Sequence, residues 1–290
     1  MKMVEAFTGW LFDVYPNKAN LSVWLIGEDG KRYHFVQDFS ATVYAVGPAN
    51  RLRGLWRWLK AQSITVRLSR TERKDVFHGN LTVLALDVLQ PIKLDELFRN
   101  MVEVFPDLTY YDGDISIALR HAAKFDVFPL ARCRLEVRGE KILNITPLDT
   151  PWELEPEAAP LRIMSLEPDC DPARKDPKAI QVTYERASYS LPFDKPEPFL
   201  IGLRADIRRY DPDVILTSWG DTWLLPFLMK LSQESGILLP LNRDESQSLV
   251  ERKEHTYFSY GQIVYRGRQV QLRGRWHLDR HDAMLGVIMA

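Results

Sequence analysis

The chain has 290 residues, 46% of them hydrophobic and 27% charged, with 38 Lys and Arg against 39 Asp and Glu. This balance excludes a disordered or fibrous protein and predicts about two globular domains. The longest run without a charge, Phe39 to Asn50, is far shorter than the ~20 apolar residues of a bilayer span, so no membrane partner is expected. The N-terminal segment carries Glu5 and Asp13 and lacks the long apolar centre of a secretory leader, which points to a cytoplasmic protein. Cys133 and Cys170 are the two cysteines, too few for a disulfide framework or a four-cysteine zinc site, and are expected as reduced thiols.

From Phe7 to Val46 apolar and polar residues alternate, and Glu28-Asp29-Gly30 supplies a hairpin turn. Leu52, Leu55, Trp56 and Leu59 share a helical face within Arg51 to Gln62. A strand from Leu81 to Leu89, a helix from Leu94 to Phe105 and a strand from Arg134 to Ile142 follow, giving an α+β N-terminal domain. Pro147 to Pro160 holds four prolines and three glutamates and reads as a linker, so the domains are expected at 1–150 and 151–290. Beyond it come strands at Leu161–Leu166, Ile180–Tyr184 and Ala187–Phe193, then a helix with Phe199, Leu203 and Ile207 on one face. A short strand at Val214–Ser218, a helix at Thr222–Gln233 ended by Gly236, and an aromatic-rich β region at Tyr257–Leu278 complete the chain. Three strands, helix, strand, helix is the opening order of an RNase H-like α/β domain. The fold class is therefore α/β, an α+β domain followed by an RNase H-like domain that looks C-terminally incomplete.

The near-zero net charge hides segments of opposite sign. Arg51 to Lys74 carries eight Lys or Arg against Glu72 alone, interleaved with Trp56 and Trp58. Asp149 to Asp176 carries eight acids, and Arg266 to Arg280 five arginines against Asp279. Basic stretches can follow a phosphate backbone, whereas clustered acids can hold a divalent ion. Glu167, Asp169 and Asp171 crowd the end of the first strand of the second domain, where ligands of α/β sheets sit. Two residues apart in extended chain, Glu167 and Asp169 can face one side and coordinate Mg²⁺ or Mn²⁺, as in two-metal phosphodiester cleavage. A solvated acidic turn is the alternative.

LRIMSLEPD at 161–169 and YDPDVILTSWGDTWLLPFL at 210–228 resemble the proofreading 3′–5′ exonuclease domain of family B DNA polymerases. That family carries an Asp-x-Glu pair at the end of the first strand and, one helix later, a segment of the type DPDVI-x-x-YNGDNFD-x-PYL. Ser259-Tyr260-Gly261 and the run Gly274 to Asp279 resemble the following β-hairpin and strand of the same domain, and Tyr110 to Ile115 with Val127 to Leu130 resemble the segment before it.

The departures bear on activity. Glu167 stands at the family's catalytic Asp and Asp169 at its catalytic Glu, inverting the pair in length, while Trp219 replaces Asn and Leu224 replaces the metal-binding Asp. Leucine cannot ligate a metal, and the missing charge removes roughly several kcal/mol of ion and transition-state stabilisation. The third exonuclease motif and the polymerase portion are expected beyond Ala290. No confident catalytic residue remains: Glu167, Asp169 and Leu224 are degenerate positions, with Glu167 and Asp169 the metal candidates. Asp221 is expected to cap the following helix, and Asp279 to cap another, in preference to a metal set with His277, His281 and Asp282.

Nucleic-acid contacts are expected from Trp219, Tyr260, Arg266, Arg268, Arg273 and Arg275, rings to stack bases and arginines to neutralise phosphates. The resemblance implies an inactive, DNA-binding, polymerase-like protein of replication or repair, with single-stranded DNA and a partner subunit or C-terminal polymerase portion as partners. A divergent metal-dependent exonuclease and a protein-interaction scaffold are the competing expectations.

Overall fold

Alternating polarity over fourteen residues makes the first strand, β1 (Val4–Asn17), which bends at a bulge between Leu11 and Asp13. It pairs with β2 (Asn20–Gly27), which turns through Asp29 and Gly30, at φ +78°, into β3 (Arg32–Asp38). Gly9 lies opposite Gly27, and a Cβ there would meet the Ile26 carbonyl oxygen at 2.1 Å, so glycine alone permits the strands to approach. The computed structural model describes residues 3–252, 255–259 and 262–280.

After β3 come β4 (Ala41–Val46), α1 (Ala49–Lys60), β5 (Val66–Asp75), β6 (Gly79–Val88), α2 (Leu94–Val104), β7 (Thr109–Tyr111) and α3 (Ile117–Phe125). Then β8 (Arg132–Arg138) and β9 (Lys141–Pro147) return to β1 and β3 and close a five-stranded barrel in the order β1-β2-β3-β9-β8. Its β3–β9 pair is parallel and its other pairs antiparallel, the arrangement of an OB-type barrel. The inserted strands form a second, antiparallel sheet, β5-β6-β4-β7, with the β-α-β-β-α-β connectivity of a ferredoxin-like fold. The strand expected at Arg134–Ile142 is thus corrected to two strands, because Gly139 takes φ +67° and turns the chain between them.

One apolar core joins barrel and inserted sheet, with Leu21, Leu25, Leu86, Leu97, Met101 and Leu135 fully buried. Cys133 lies within it, and burial pushes its thiol up to about 12, so it stays protonated. His121 on α3 is also buried, its Nε2 2.8 Å from Gln37 Oε1. Burial holds its pKa down to about 4 from 6.5. The unfolded chain therefore binds the proton more tightly, so this contribution to stability is complete above pH ~6.5 and is lost as pH falls towards 4. Urea unfolding at pH 7 and pH 4.5 should show about 2–3 kcal/mol more acid destabilisation in the native chain than in His121→Gln. Equal losses would remove His121 as the cause.

The chain divides into two units, Met1–Ala159 and Pro160–Ala290. The proline- and glutamate-rich stretch before Pro160 is tied to the first unit: Trp10 Nε1 donates to the Glu157 carbonyl (3.0 Å), and Arg132 N–H donates to Asp149 (3.0 Å).

The second unit runs β10 (Ile163–Pro168), β11 (Ala179–Tyr184), β12 (Ala187–Pro192), α4 (Pro196–Tyr210), β13 (Val214–Thr217), a π-helical turn (Gly220–Leu224) and α5 (Leu225–Ser235). It continues through β14 (Val250–Arg252), β15 (His255–Ser259), β16 (Gln262–Arg266), β17 (Gln269–Gln271) and β18 (Trp276–Asp279). Its main sheet has the order β12-β11-β10-β13-β18 with β10, β13 and β18 parallel, the RNase H-like arrangement expected from the sequence. Met164, Leu166, Leu203, Ile207, Leu225 and Leu228 form its core. Gly236 ends α5 at φ +66°. No helix among the described residues is long and apolar enough to cross a membrane.

Candidate carboxylate site and nucleic-acid interface

On β10 Met164, Leu166 and Pro168 are buried, so the pleat sends Ser165 and Glu167 to the opposite, half-buried face. Ser165 Oγ donates to Glu167 Oε1 (2.8 Å), and Arg280, just past β18, places Nη1 2.7 Å from the same oxygen. A guanidinium thus neutralises the carboxylate that the exonuclease motif would give to a metal. Asp169 is used differently: Oδ1 accepts the Lys178 N–H (2.9 Å) while its own N–H donates to the Ala179 carbonyl (3.0 Å), clamping the turn into β11. Asp171 accepts the Ala173 N–H (2.9 Å) in the same connection.

Leu224 ends the π turn, its N–H donating to the Trp219 carbonyl (2.8 Å), and its side chain is fully buried among the core leucines. Trp219 starts the turn at φ 55°, a left-handed conformation that suits Asn better than a bulky ring. Among the described residues no group of three or more His, Cys, Asp or Glu is placed to hold a metal ion. With Leu224 in the core, Glu167 on Arg280 and Asp169 in a turn, the donor set does not fit the two ions of an exonuclease.

A buried polar network lies beneath the adjacent strand ends. Asp221 is inside the π turn and does not cap a helix, which corrects the expected N-cap: Oδ1 accepts the Val270 N–H (2.6 Å), and Asp279 Oδ2 accepts the Asp221 N–H (3.0 Å) from β18. His277 Nδ1 is 3.0 Å from the Val270 carbonyl, and Nε2 is 2.8 Å from Thr217 Oγ1. A carbonyl only accepts, so Nδ1 carries a proton, and Asp221 Oδ1 lies 3.5 Å from the same nitrogen. Both ring nitrogens are engaged within the protein. Gly220 makes this closeness possible, since a Cβ there would lie 1.8 Å from Thr217 Oγ1 and 2.5 Å from His277 Nε2.

The expected nucleic-acid residues are dispersed. Arg275 is 3% exposed: Nε donates to the Pro212 carbonyl (2.6 Å), Nη1 to the Pro240 (2.7 Å) and Leu241 (3.0 Å) carbonyls, and Nη2 to Asp211 (3.0 Å). Its guanidinium holds loops together in the interior, which corrects its assignment to a phosphate-facing surface. Burial and neighbouring Arg243 pull its pKa down to about 10 against the pull of Asp211, so it stays charged at neutral pH. Arg243 completes the cluster, reaching Asp211 Oδ1 and Asp213 Oδ1, each at 2.9 Å. Asp213 also accepts the Arg162 N–H (2.8 Å), so the Asp-Pro-Asp run is a structural clamp between α4 and β13.

Arg268 is half-exposed and paired with Glu251, and Arg273 is half-buried, its N–H donating to Asn242 (2.9 Å). Arg266 lies on β16 with its backbone opposite His255. Tyr260, His281 and Asp282 lie outside the described residues.

No family model matches the chain. Over 78 residues it is 40% identical to a DNA polymerase of Pyrococcus glycovorans, a stretch covering 27% of this chain and 9% of that protein. Over 73 residues it is 37% identical to DNA polymerase 1 of Pyrococcus abyssi, covering 25% and 8%. The structure of the family B DNA polymerase from the hyperthermophilic archaeon Pyrobaculum calidifontis matches with a TM-score of 0.70 at 17% identity, over 96% of this chain and 37% of that one. The fold is therefore that of part of a family B DNA polymerase. Together the sequence and fold matches support a relative of the archaeal family B DNA polymerases, of which this chain spans well under half the length.

Proposed function

We propose that the chain binds single-stranded DNA as a polymerase-like protein of replication or repair and does not hydrolyse it. The observation that carries the second half is Leu224, fully buried and apolar at the position where the exonuclease motif has its metal-binding Asp. Glu167 reinforces it, since its carboxylate already faces the Arg280 cation. The binding half is supported by the relationship to DNA polymerases and by arginines in both units.

Phosphate contacts release counterions, so affinity should fall steeply with salt. For about four contacts to a single strand the loss between 50 and 200 mM salt is roughly 50-fold. Fluorescence anisotropy of a 5′-labelled oligonucleotide across that range measures the slope. Affinity independent of salt, or no binding at 50 mM, would rule out a DNA-binding role and favour a protein-interaction scaffold.

A further inference from the structure

Among the described residues some arginines of the first unit have side-chain partners and others have none: Arg51 binds Asp107, Arg73 reaches Tyr44, and Arg132 pairs with Glu28. The guanidinium groups of Arg53, Arg57 and Arg70 form no hydrogen bond or ion pair among the described residues, and all three residues are exposed around one cavity. The cavity, about 550 Å³, lies between α1 and the β5–β6 ribbon, with Leu52, Trp56 and Leu84 as its apolar floor and no acidic residue in its lining. That volume falls in the range of small-ligand sites and suits one nucleotide unit.

The sequence explains the convergence. Arg53 and Arg57 are one helical turn apart and share a face with Trp56, while Leu55 and Leu59 turn into the core. Like charges at this spacing repel, so the pair costs stability unless an anion lies between them. Arg70 comes from β5 across the groove, where it pairs in register with Leu84 of β6. Pro48 precedes α1 with no side-chain cap, and no acid lies in the first turn, so the positive end of the helix dipole adds to the field. Lys60 brings another cation, its Nζ 5.6 Å from the Trp56 ring centroid. Glu72, two residues beyond Arg70, is the acid of this stretch and does not line the cavity.

We propose that this groove holds a segment of single-stranded nucleic acid, one base against the Trp56 ring and neighbouring phosphates on Arg53, Arg57 and Arg70. It rests on the DNA-binding function proposed above and names a place for it in the first unit. An aromatic floor beneath a rim of cations matches the two chemistries of a strand, a flat base and a string of phosphates, with no means of reading sequence.

The test is anisotropy with a labelled dT12 strand on the full chain, comparing native protein, Trp56→Ala, the double variant Arg53→Gln/Arg57→Gln and a remote control, Arg174→Gln. Trp56→Ala should weaken binding about tenfold through lost stacking. The double variant should flatten the salt slope by about 1.4, or ~0.7 per phosphate contact, and the control should change neither. The double variant alters only exposed side chains, so it remains informative should Trp56→Ala fold poorly. Native binding with an unchanged salt slope in the double variant would overturn the groove and leave DNA binding standing, whereas no native binding would overturn both. Competition separates the occupants: displacement of dT12 by free dTMP as well as by unlabelled dT12, or by poly-glutamate at equal charge, would overturn a strand site.

Discussion

Leu224→Asp should destabilise the second unit by at least about 4 kcal/mol. Removing a fully buried leucine costs about 2–5 kcal/mol by itself, and the new carboxylate enters a core that offers it no cation. The acid would respond by raising its pKa, so the folded variant holds its proton more tightly than the unfolded chain. Its stability deficit is then smaller near pH 4 and grows as pH rises through neutrality. Denaturant unfolding at pH 4.5 and pH 7 measures both effects. The variant also restores the motif's carboxylate, so Mn²⁺ tests the site itself. With Glu167 held by Arg280, millimolar Mn²⁺ should not recover the lost stability, and a recovery of more than about 1 kcal/mol would mean that a metal site assembles after all.

Arg275→Met should be nearly as damaging, at about 3–5 kcal/mol. The thioether fills part of the volume, yet the Pro240 and Leu241 carbonyls lose the Arg275 donor, the Pro212 carbonyl keeps only Arg243, and Asp211 loses one of its two buried cation partners. A residue reaching towards phosphate would behave differently, leaving stability unchanged while lowering DNA affinity. Thermal unfolding alongside anisotropy distinguishes the two. A native-like melting temperature with weakened DNA binding would return Arg275 to the surface role expected from sequence.

Arg275 also shows where sequence ran out. Its neighbours Arg266, Arg268 and Arg273 make the stretch look uniformly basic, and nothing local reveals that Arg275 points at three carbonyls from loops 34 to 63 residues away. Long-range partners decide burial of a charge, and they have no periodic signal. Asp221 failed as a cap for the same reason: its partner, Val270, arrives from a distant strand. By contrast, Leu21 to Ile26 was readable as a short, mostly apolar run that is buried along its whole length, and the face of Phe199, Leu203 and Ile207 because packing against a core imposes a period of 3.6 on a helix. The helix Ile117–Phe125 escaped notice because nine residues with His121 as a buried member give a weak apolar stripe, although Ser116 is a regular cap, accepting the Leu119 N–H.

At the candidate site Glu167 lies at the strand end read from the sequence, whereas Asp169, expected in extended chain on the same face, sits in the turn to β11, and Leu224, expected within a helix from Thr222, ends the π turn before α5. What the motif spacing could not supply was Arg280, which lies 113 positions along the chain from Glu167 and converts a metal-facing carboxylate into half of an ion pair. The basic, aromatic stretch from Arg51 to Lys74 was visible as composition, but the cavity needed the β5–β6 ribbon to bring Arg70 across to α1.

Binding without cleavage can be read in a single nuclease assay. Single-stranded DNA labelled at its 5′ end, incubated with the full chain and Mn²⁺ beside a Glu167→Ala/Asp169→Ala control, should remain full length in both samples while migrating as a salt-sensitive complex. Stepwise shortening from the 3′ end by the native chain, absent from the control and stopped by a chelator, would show that Glu167 and Asp169 still organise catalytic metal and would contradict binding without cleavage.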